Sequence, residues 1–305
     1  MYQESLISNT ATTAQLPGMS GESCLLVAKS LWGVVEAGDP SRWDRLFAQL
    51  KEEGYRAVET ICVFDLNLNP VLFRQLLDKH SLQLIIQLHT ASDWGKYDYC
   101  TSCDVDEHVA SFRSLVQEAL QHGPTIINVH SGHDSWSVAT AVDYFSRVLE
   151  VEAELLGAHT SHSHVTLVHE THRQRLLGNP YQCRDILKDP RLSKLKVNCD
   201  LSHWVCACEH IFDAQRYPQR DQWWSDVLAL VASHCHLIHA RFGHEQGPQV
   251  VDIGASGSSD SVHAHLQWWG EIWQAQRVRG GAHWVVTEHG PEPYQIWGAK
   301  ETQRG

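Results

Sequence analysis

Short apolar runs alternate along the chain with longer segments whose apolar residues recur at helical spacing. The first unit is typical: residues 24–29 form a nearly continuous apolar run, and Asp39-Pro40 then opens a segment over 41–53. Within that segment, the apolar side chains recur every three or four positions, at Trp43, Leu46, Phe47 and Leu50. Continuous runs predict strands buried on both faces, and the wider spacing predicts amphipathic helices.

The same unit repeats to the end of the chain. Strands are predicted over residues 24–29, 56–62, 83–89, 125–130, 165–170, 196–200, 236–239 and 283–288. Seven helices are predicted between them, over residues 41–53, 70–77, 106–122, 137–157, 180–188, 223–231 and 262–279, with an irregular insertion over 201–220. Right-handed crossovers close such a series into an α/β fold, a single (β/α)8 barrel. The alternative is a doubly wound open sheet, but no glycine fingerprint follows the first strand.

A polar group stands at or near the end of every predicted strand. These groups are Lys29, Glu59, His89, His130, Glu170, Asp200, His239 and Glu288. The C-terminal strand ends of a barrel form one mouth, where active sites lie. The sequence therefore predicts an active site at this mouth. Glu59 and Lys29 are interpreted as a structural pair beside it.

The last four strand ends supply three carboxylates and one imidazole: Glu170, Asp200, His239 and Glu288. Oxygen ligands with one imidazole suit a divalent cation such as Mn²⁺, Co²⁺, Mg²⁺ or Zn²⁺. Burying three carboxylates without a cation is costly, which favours a metal site over ion pairs alone. We therefore expect one divalent metal ion at this site.

Composition narrows the class of protein further. The 305 residues suit one large domain, with residues 1–22 as a flexible, polar arm and residues 23–305 as the barrel with an irregular tail. No apolar run approaches the ~18 residues of a membrane helix, and the first residues lack the pattern of a secretory signal. Nine cysteines without framework spacing indicate reduced thiols and a cytoplasmic protein. A structural zinc at Cys100 and Cys103 is a minor alternative.

The net charge of −12 argues against nucleic acid as a partner, because DNA- and RNA-binding proteins need a basic surface. No run of lysine and arginine residues offsets this charge. A small-molecule substrate is the expected partner instead.

Five short motifs carry a resemblance to a known family. They are GYRAVE (54–59), HET (169–171), CDLSH (199–203), HAR (239–241) and TEHG (287–290). Between about residues 24 and 288 the chain resembles the xylose-isomerase-like TIM-barrel superfamily. That superfamily includes ketose 3-epimerases, hydroxypyruvate isomerase, inosose dehydratase and the endonuclease IV group. Four matching groups in the correct strand order are fairly specific for the superfamily, but not for one member.

The resemblance implies a metal-dependent isomerase or epimerase acting on a polyhydroxylated sugar or sugar acid. The four strand-end groups would hold the metal. Glu170 and Glu288 would remove and return a proton on carbon, through an enediolate. His203 and Arg241 would bind substrate oxygens. Weaker candidates for substrate binding are His89, His130 and Arg173. Homo-oligomerisation is a further expectation from this resemblance.

One departure bears on the substrate. His172 and Arg173 stand where the ketose epimerases usually carry another acidic residue, which favours a carboxylated or phosphorylated substrate. The main alternative is a multi-zinc hydrolase or phosphodiesterase of the endonuclease IV type, in which His89, His130 and His203 would be ligands. That cluster is incomplete, because an Asp-x-His motif would need a histidine at position 254: Asp252 is present, but Gly254 stands in place of the histidine. A lyase or dehydratase, and a barrel that binds a ligand without turnover, also remain.

Overall fold

The computed structural model describes residues 23–34, 40–61, 69–93, 100–158 and 160–291. The predicted flexible arm, residues 1–22, lies outside the described residues, as does the tail beyond residue 291.

Eight parallel strands form one closed barrel, in chain order. They are β1 (Cys24–Ser30), β2 (Ala57–Thr60), β3 (Gln83–His89), β4 (Ile126–His130), β5 (Thr166–Glu170), β6 (Val197–Cys199), β7 (Cys235–Ala240) and β8 (Ala282–Thr287). The first and last strands pair in parallel from Cys24 opposite Ala282 to Lys29 opposite Thr287, which closes the sheet. The predicted barrel is therefore confirmed, and the open-sheet alternative is wrong.

In the described residues, eight α-helices lie between these strands. They are α1 (Pro40–Glu52), α2 (Pro70–Lys79), α3 (Val105–Leu120), α4 (Val138–Leu156), α5 (Pro180–Leu187), α6 (Ser202–Cys208), α7 (Trp224–His234) and α8 (Ser259–Arg279). Asn69 and Asn179 cap α2 and α5, with proline at the first helical position of each. The sequence did not predict α6, because seven residues are too few to show a helical period.

Apolar side chains fill two separate regions. The larger region lies between the sheet and the helices and includes Trp43, Phe47 and Phe73. The smaller region fills the barrel interior with Ala28, Ala57, Ile85, Ile126, Val168, Leu237, Trp284 and Val286.

The interior residues determine where the polar groups lie. Side chains two positions apart on a strand face the same side. Val168 is two positions before Glu170, and Leu237 is two positions before His239. An apolar floor therefore lies beneath a polar layer at the C-terminal mouth.

In the part of the chain that the structure describes, no helix is both long enough and apolar enough to cross a membrane.

Candidate active site

The four predicted ligands lie together at the barrel mouth. Glu170 ends β5, His239 lies near the end of β7, and Asp200 and Glu288 directly follow β6 and β8. Ligand atoms of Glu170, Asp200 and His239 all lie within 4.8 Å of one another. Glu288 Oε2 lies 2.8 Å from His239 Nδ1. All four residues are buried.

His239 is at the centre of this cluster. Its Nδ1 lies 3.5 Å from Glu170 Oε2 and 2.8 Å from Glu288 Oε2. Its Nε2 lies 2.9 Å from Glu59 Oε1. Burial acts to lower the pKa of His239, but Glu59, Glu288 and Glu170 outweigh it and hold that pKa well above its usual value. Glu59, expected from the sequence to pair with Lys29, is instead paired with His239.

Glu170 is held mainly through one of its two oxygens. Its Oε2 accepts hydrogen bonds from Asn128 Nδ2 at 2.6 Å and Asn198 Nδ2 at 3.3 Å, and lies 2.8 Å from His130 Nε2. Its Oε1 is buried and has no hydrogen-bond partner among the described residues. Burial raises the pKa of Glu170. Sequence reasoning missed both asparagines.

A pattern in the sequence could have revealed these asparagines. Asn128 is two positions before His130, and Asn198 is two positions before Asp200. Residues two apart face the same side of a strand, so polar side chains within these apolar runs are expected to face the same interior.

Arg241 forms ion pairs with Asp200 and Glu288. Its Nη2 donates to Asp200 Oδ2 at 2.6 Å, and its Nε donates to Ser202 Oγ at 3.1 Å. Its Nη1 lies 3.7 Å from Glu288 Oε1. Ser202 Oγ in turn donates to Asp200 Oδ1 at 2.5 Å. The guanidinium therefore orients two of the predicted metal ligands.

The pKa values at this ion pair reflect competition between burial and charge. Burial raises the pKa of Asp200 to about 7, although Arg241 opposes the shift. Burial alone would also raise the pKa of Glu288, but Arg241 and His239 outweigh it and lower that pKa. The two carboxylates thus differ in proton affinity, because Asp200 is shifted up by burial and Glu288 is shifted down by charge.

Four histidine rings form a continuous row along one side of the mouth. The ring centroids are 4.0 Å apart for His89 and His130, 4.2 Å for His130 and His172, and 3.9 Å for His172 and His203. Burial, reinforced by neighbouring positive charge, holds the pKa of each well below its usual value. These rings are therefore neutral near pH 7. His203 Nε2 accepts from Arg241 Nη2 at 2.6 Å.

Arg173 contacts α6. It is half-buried, and its Nη1 donates to Cys206 Sγ on α6 at 3.5 Å. The neighbouring His172 donates from Nδ1 to the carbonyl of Arg173 at 2.6 Å, which leaves Nε2 as the acceptor of a neutral ring. The ring of His172 joins the histidine row between His130 and His203.

His169, the neighbour of Glu170, belongs to the opposite side of β5. Its Nδ1 lies 2.6 Å from Ser131 Oγ, and its ring contacts Phe112 of α3 and Phe145 of α4. The HET motif therefore contributes Glu170 to the mouth, whereas His169 packs between sheet and helices.

The donor set fits a divalent cation. Glu59, Glu170, Asp200 and Glu288 are four buried carboxylates, and Arg241 is the one guanidinium in contact with them among the described residues. Glu170 Oε1, Glu288 Oε2 and His239 Nδ1 are all buried without a hydrogen bond in that part of the chain. Oxygen and imidazole ligands of this kind suit a metal of intermediate hardness, and a cation would offset the uncompensated negative charge.

A second group of possible ligands lies beside the first. Ligand atoms of His130, Glu170 and His172 also lie within 4.8 Å of one another. Glu170 belongs to both groups, so one carboxylate could serve two ions.

A separate cavity lies away from these groups. It has a volume of about 770 Å³ and is lined by the segment 210–217, the start of α7, the loop after β7 and the first half of α8. None of the predicted metal ligands or substrate-binding residues lines it. It is therefore distinct from the candidate active site.

The closed barrel and the cluster at its mouth define a (β/α)8 protein with a group of carboxylate and imidazole side chains that could hold a metal ion. A sequence model of the xylose isomerase-like TIM barrel matches residues 47–253. The chain belongs to this family, as the motifs had predicted. A search of curated proteins finds no match.

Several solved structures share the fold. An AP endonuclease of family 2 from Brucella melitensis is 12% identical, with 90% of this chain and 94% of that chain covered and a TM-score of 0.54. A D-allulose 3-epimerase from Methylomonas sp., in complex with D-allulose, is 13% identical, with 90% and 87% covered and a TM-score of 0.51. The IOLI protein with a bound zinc atom is 10% identical, with 88% and 91% covered and a TM-score of 0.54. At such low identity these similarities establish the fold alone.

Proposed function

We propose that the protein is a divalent-metal-dependent isomerase or epimerase acting on a sugar or sugar-acid-like substrate. The observation that carries this proposal is the convergence of Glu170, Asp200, His239 and Glu288 at one buried point of the mouth. Membership of the xylose isomerase-like family supports it. The D-allulose complex of one structural neighbour is in line with a polyhydroxylated substrate.

Glu170, Asp200, His239 and Glu288 would hold the ion, whether Mn²⁺, Co²⁺, Mg²⁺ or Zn²⁺. When bound, the ion would supply Lewis-acid polarisation of neighbouring carbonyl and hydroxyl oxygens. Glu170 has a buried oxygen, Oε1, without a hydrogen bond among the described residues. That oxygen suits a base that takes a proton from carbon, and Glu288 would return the proton.

The remaining polar groups would bind the substrate. The neutral rings of His89, His130 and His203 can each donate and accept hydrogen bonds, as hydroxyl groups require. Arg173, beside α6, would meet an anionic group. Arg241, already engaged with Asp200, would mainly orient that carboxylate and polarise an oxygen bound beside it.

We also propose that the protein is cytoplasmic and that its partner is a small molecule, not a nucleic acid or a membrane. We further propose that the barrel domain forms homo-oligomers. All eight cysteines in the described part of the chain are free, in line with a reducing compartment. The net charge of −12 disfavours a nucleic-acid substrate.

Elemental analysis of the purified protein tests the proposal directly. We expect one divalent ion per chain in the wild type and none in Asp200→Ala. Asp221→Ala is the matched control, because Asp221 is also a fully buried carboxylate but pairs with His210 outside the mouth. The metal-loaded wild type should then exchange a carbon-bound proton of a ketose or sugar acid in D₂O. Absence of metal after reconstitution would refute the proposed function.

A second candidate is a hydrolase with two or more zinc ions. The observation that favours it is the group formed by His130, Glu170 and His172, which shares Glu170 with the first group. Two zinc ions per chain together with phosphodiester hydrolysis would select this candidate. A lyase or dehydratase would be recognised by loss of water from the substrate in the same D₂O experiment.

A further inference from the structure

Glu59 contacts the cluster from the far side of the barrel mouth. It lies on β2, and β1 and β8 separate β2 from β7, which carries His239. Glu59 Oε1 nevertheless lies 2.9 Å from His239 Nε2, so the contact crosses the interior. Both side chains are at most 2% exposed. A buried carboxylate in this position therefore acts on His239 with little screening by solvent.

In the metal-bound protein, this contact would select which nitrogen of His239 is available to the metal ion. In a neutral imidazole one nitrogen donates and the other accepts. A carboxylate that binds a cation no longer accepts from His239. With Glu170 and Glu288 as metal ligands, Glu59 would be the carboxylate that accepts from His239, so Nε2 would carry the hydrogen and Nδ1 the lone pair. Nδ1 is the nitrogen close to Glu288 and Glu170, at 2.8 Å and 3.5 Å. His239 thus lies between the Glu59 carboxylate and the cluster. The same arrangement occurs at metal sites where a carboxylate orients a metal-binding histidine.

We infer that Glu59 is a positioning residue that orients His239 so that Nδ1, and not Nε2, faces the metal. The inference rests on the proposed function, since it requires a metal at the cluster. Glu59 itself belongs to neither group of adjacent ligand atoms in the described residues. Its effect therefore passes through His239.

Two substitutions separate orientation from simple destabilisation. Glu59→Gln keeps an oxygen that can accept the Nε2 hydrogen but removes the charge. Glu59→Leu removes the acceptor as well. The matched control is Asp221→Asn, because Asp221 is a buried carboxylate that binds His210 Nε2 at 2.7 Å away from the cluster. The Gln variant keeps the size of the side chain, so the test does not depend on the Leu variant folding.

The measurement is the dissociation constant of Zn²⁺ or Co²⁺ in competition with a chromophoric chelator, at one pH. Loss of a carboxylate that orients a metal-binding histidine weakens metal binding about 10–100-fold. We expect a loss in that range for Glu59→Leu, a smaller loss for Glu59→Gln, and no change for Asp221→Asn. Unfolding of each metal-free variant records its loss of stability separately.

Three results would contradict the inference. Equal affinity in the wild type and Glu59→Leu, or in the wild type and Glu59→Gln if the Leu variant does not fold, would overturn it and leave the proposed function intact. Complete loss of binding in Glu59→Gln, as in Asp200→Ala, would make Glu59 a ligand. Absence of metal binding by the wild type would overturn the proposed function and this inference together.

Discussion

The ion pair between Arg241 and Asp200 gives the sharpest prediction about stability. The pair is 2.6 Å long, and its side chains are 2% and 0% exposed. In Arg241→Met the Asp200 carboxylate stays buried without its cation, and Glu288 loses a guanidinium 3.7 Å away. Removing one partner of a buried pair costs about 3–5 kcal/mol, because the remaining carboxyl either stays charged without a cation or takes up a proton. We therefore expect Arg241→Met to lower the free energy of unfolding by that amount in metal-free protein.

A double-mutant cycle tests this reasoning. Asp200→Asn alone leaves the guanidinium partly uncompensated, whereas Arg241→Met combined with Asp200→Asn removes both charges. The combined variant should therefore lose less stability than the sum of the single variants, by about 2–3 kcal/mol. Urea unfolding in the presence of EDTA measures all four proteins.

An exposed pair supplies the control. Arg113 and Glu154 also lie 2.6 Å apart, but they are 38% and 59% exposed. Solvent screens such a pair, so Arg113→Met should change stability far less than Arg241→Met. Additive effects of Arg241→Met and Asp200→Asn, or equal losses for Arg113→Met and Arg241→Met, would refute the argument that burial sets the size of the effect.

Three further predictions concern other parts of the chain. His265 is buried, burial lowers its pKa to about 4, and its neutral ring accepts from Gly243 N and donates to Ser261 O. As the pH falls through the unfolded pKa near 6.5, only the unfolded chain gains a proton, so the free energy of unfolding should fall by roughly 2 kcal/mol between pH 7.5 and 5. In urea titrations His265→Gln should lose less stability over that range. Gly243→Ala places a Cβ 2.6 Å from the carbonyl oxygen of Ser202, so it should cost about 1–3 kcal/mol and weaken metal binding, measured by unfolding and chelator competition. Gly270→Ala, with no atom within 4 Å of the added Cβ apart from its chain neighbours and the backbone of its own helix, should raise the free energy of unfolding by up to about 1 kcal/mol.

The barrel could be predicted from the sequence because its strands and its helices each leave a pattern within a short segment. Buried strands appear as apolar runs, and helices such as α2 and α5 carry an asparagine cap followed by proline. The strand ends then located Glu170, Asp200, His239 and Glu288, and the structure brings these four together. Their roles as ligands and proton carriers stay predictions.

Other features depend on distances that no local pattern contains. Glu59 and His239 are 180 positions apart, and their contact arises only when the barrel closes. Arg241 and Asp200 are 41 positions apart, and their 2.6 Å contact likewise joins two strands that the sequence does not show to be adjacent. The expected role of Arg241 in substrate binding stays a prediction.

The two sides of β5 make this strand intolerant of insertions and deletions. His169 contacts the helices, whereas its neighbour Glu170 belongs to the mouth. Pairing with β6 places His169 opposite Val197 and Glu170 opposite Asn198. A slip of one residue would exchange the two side chains between environments, because the strand period is two. Length changes in this lineage should therefore accumulate in the connecting loops and be absent from residues 166–170.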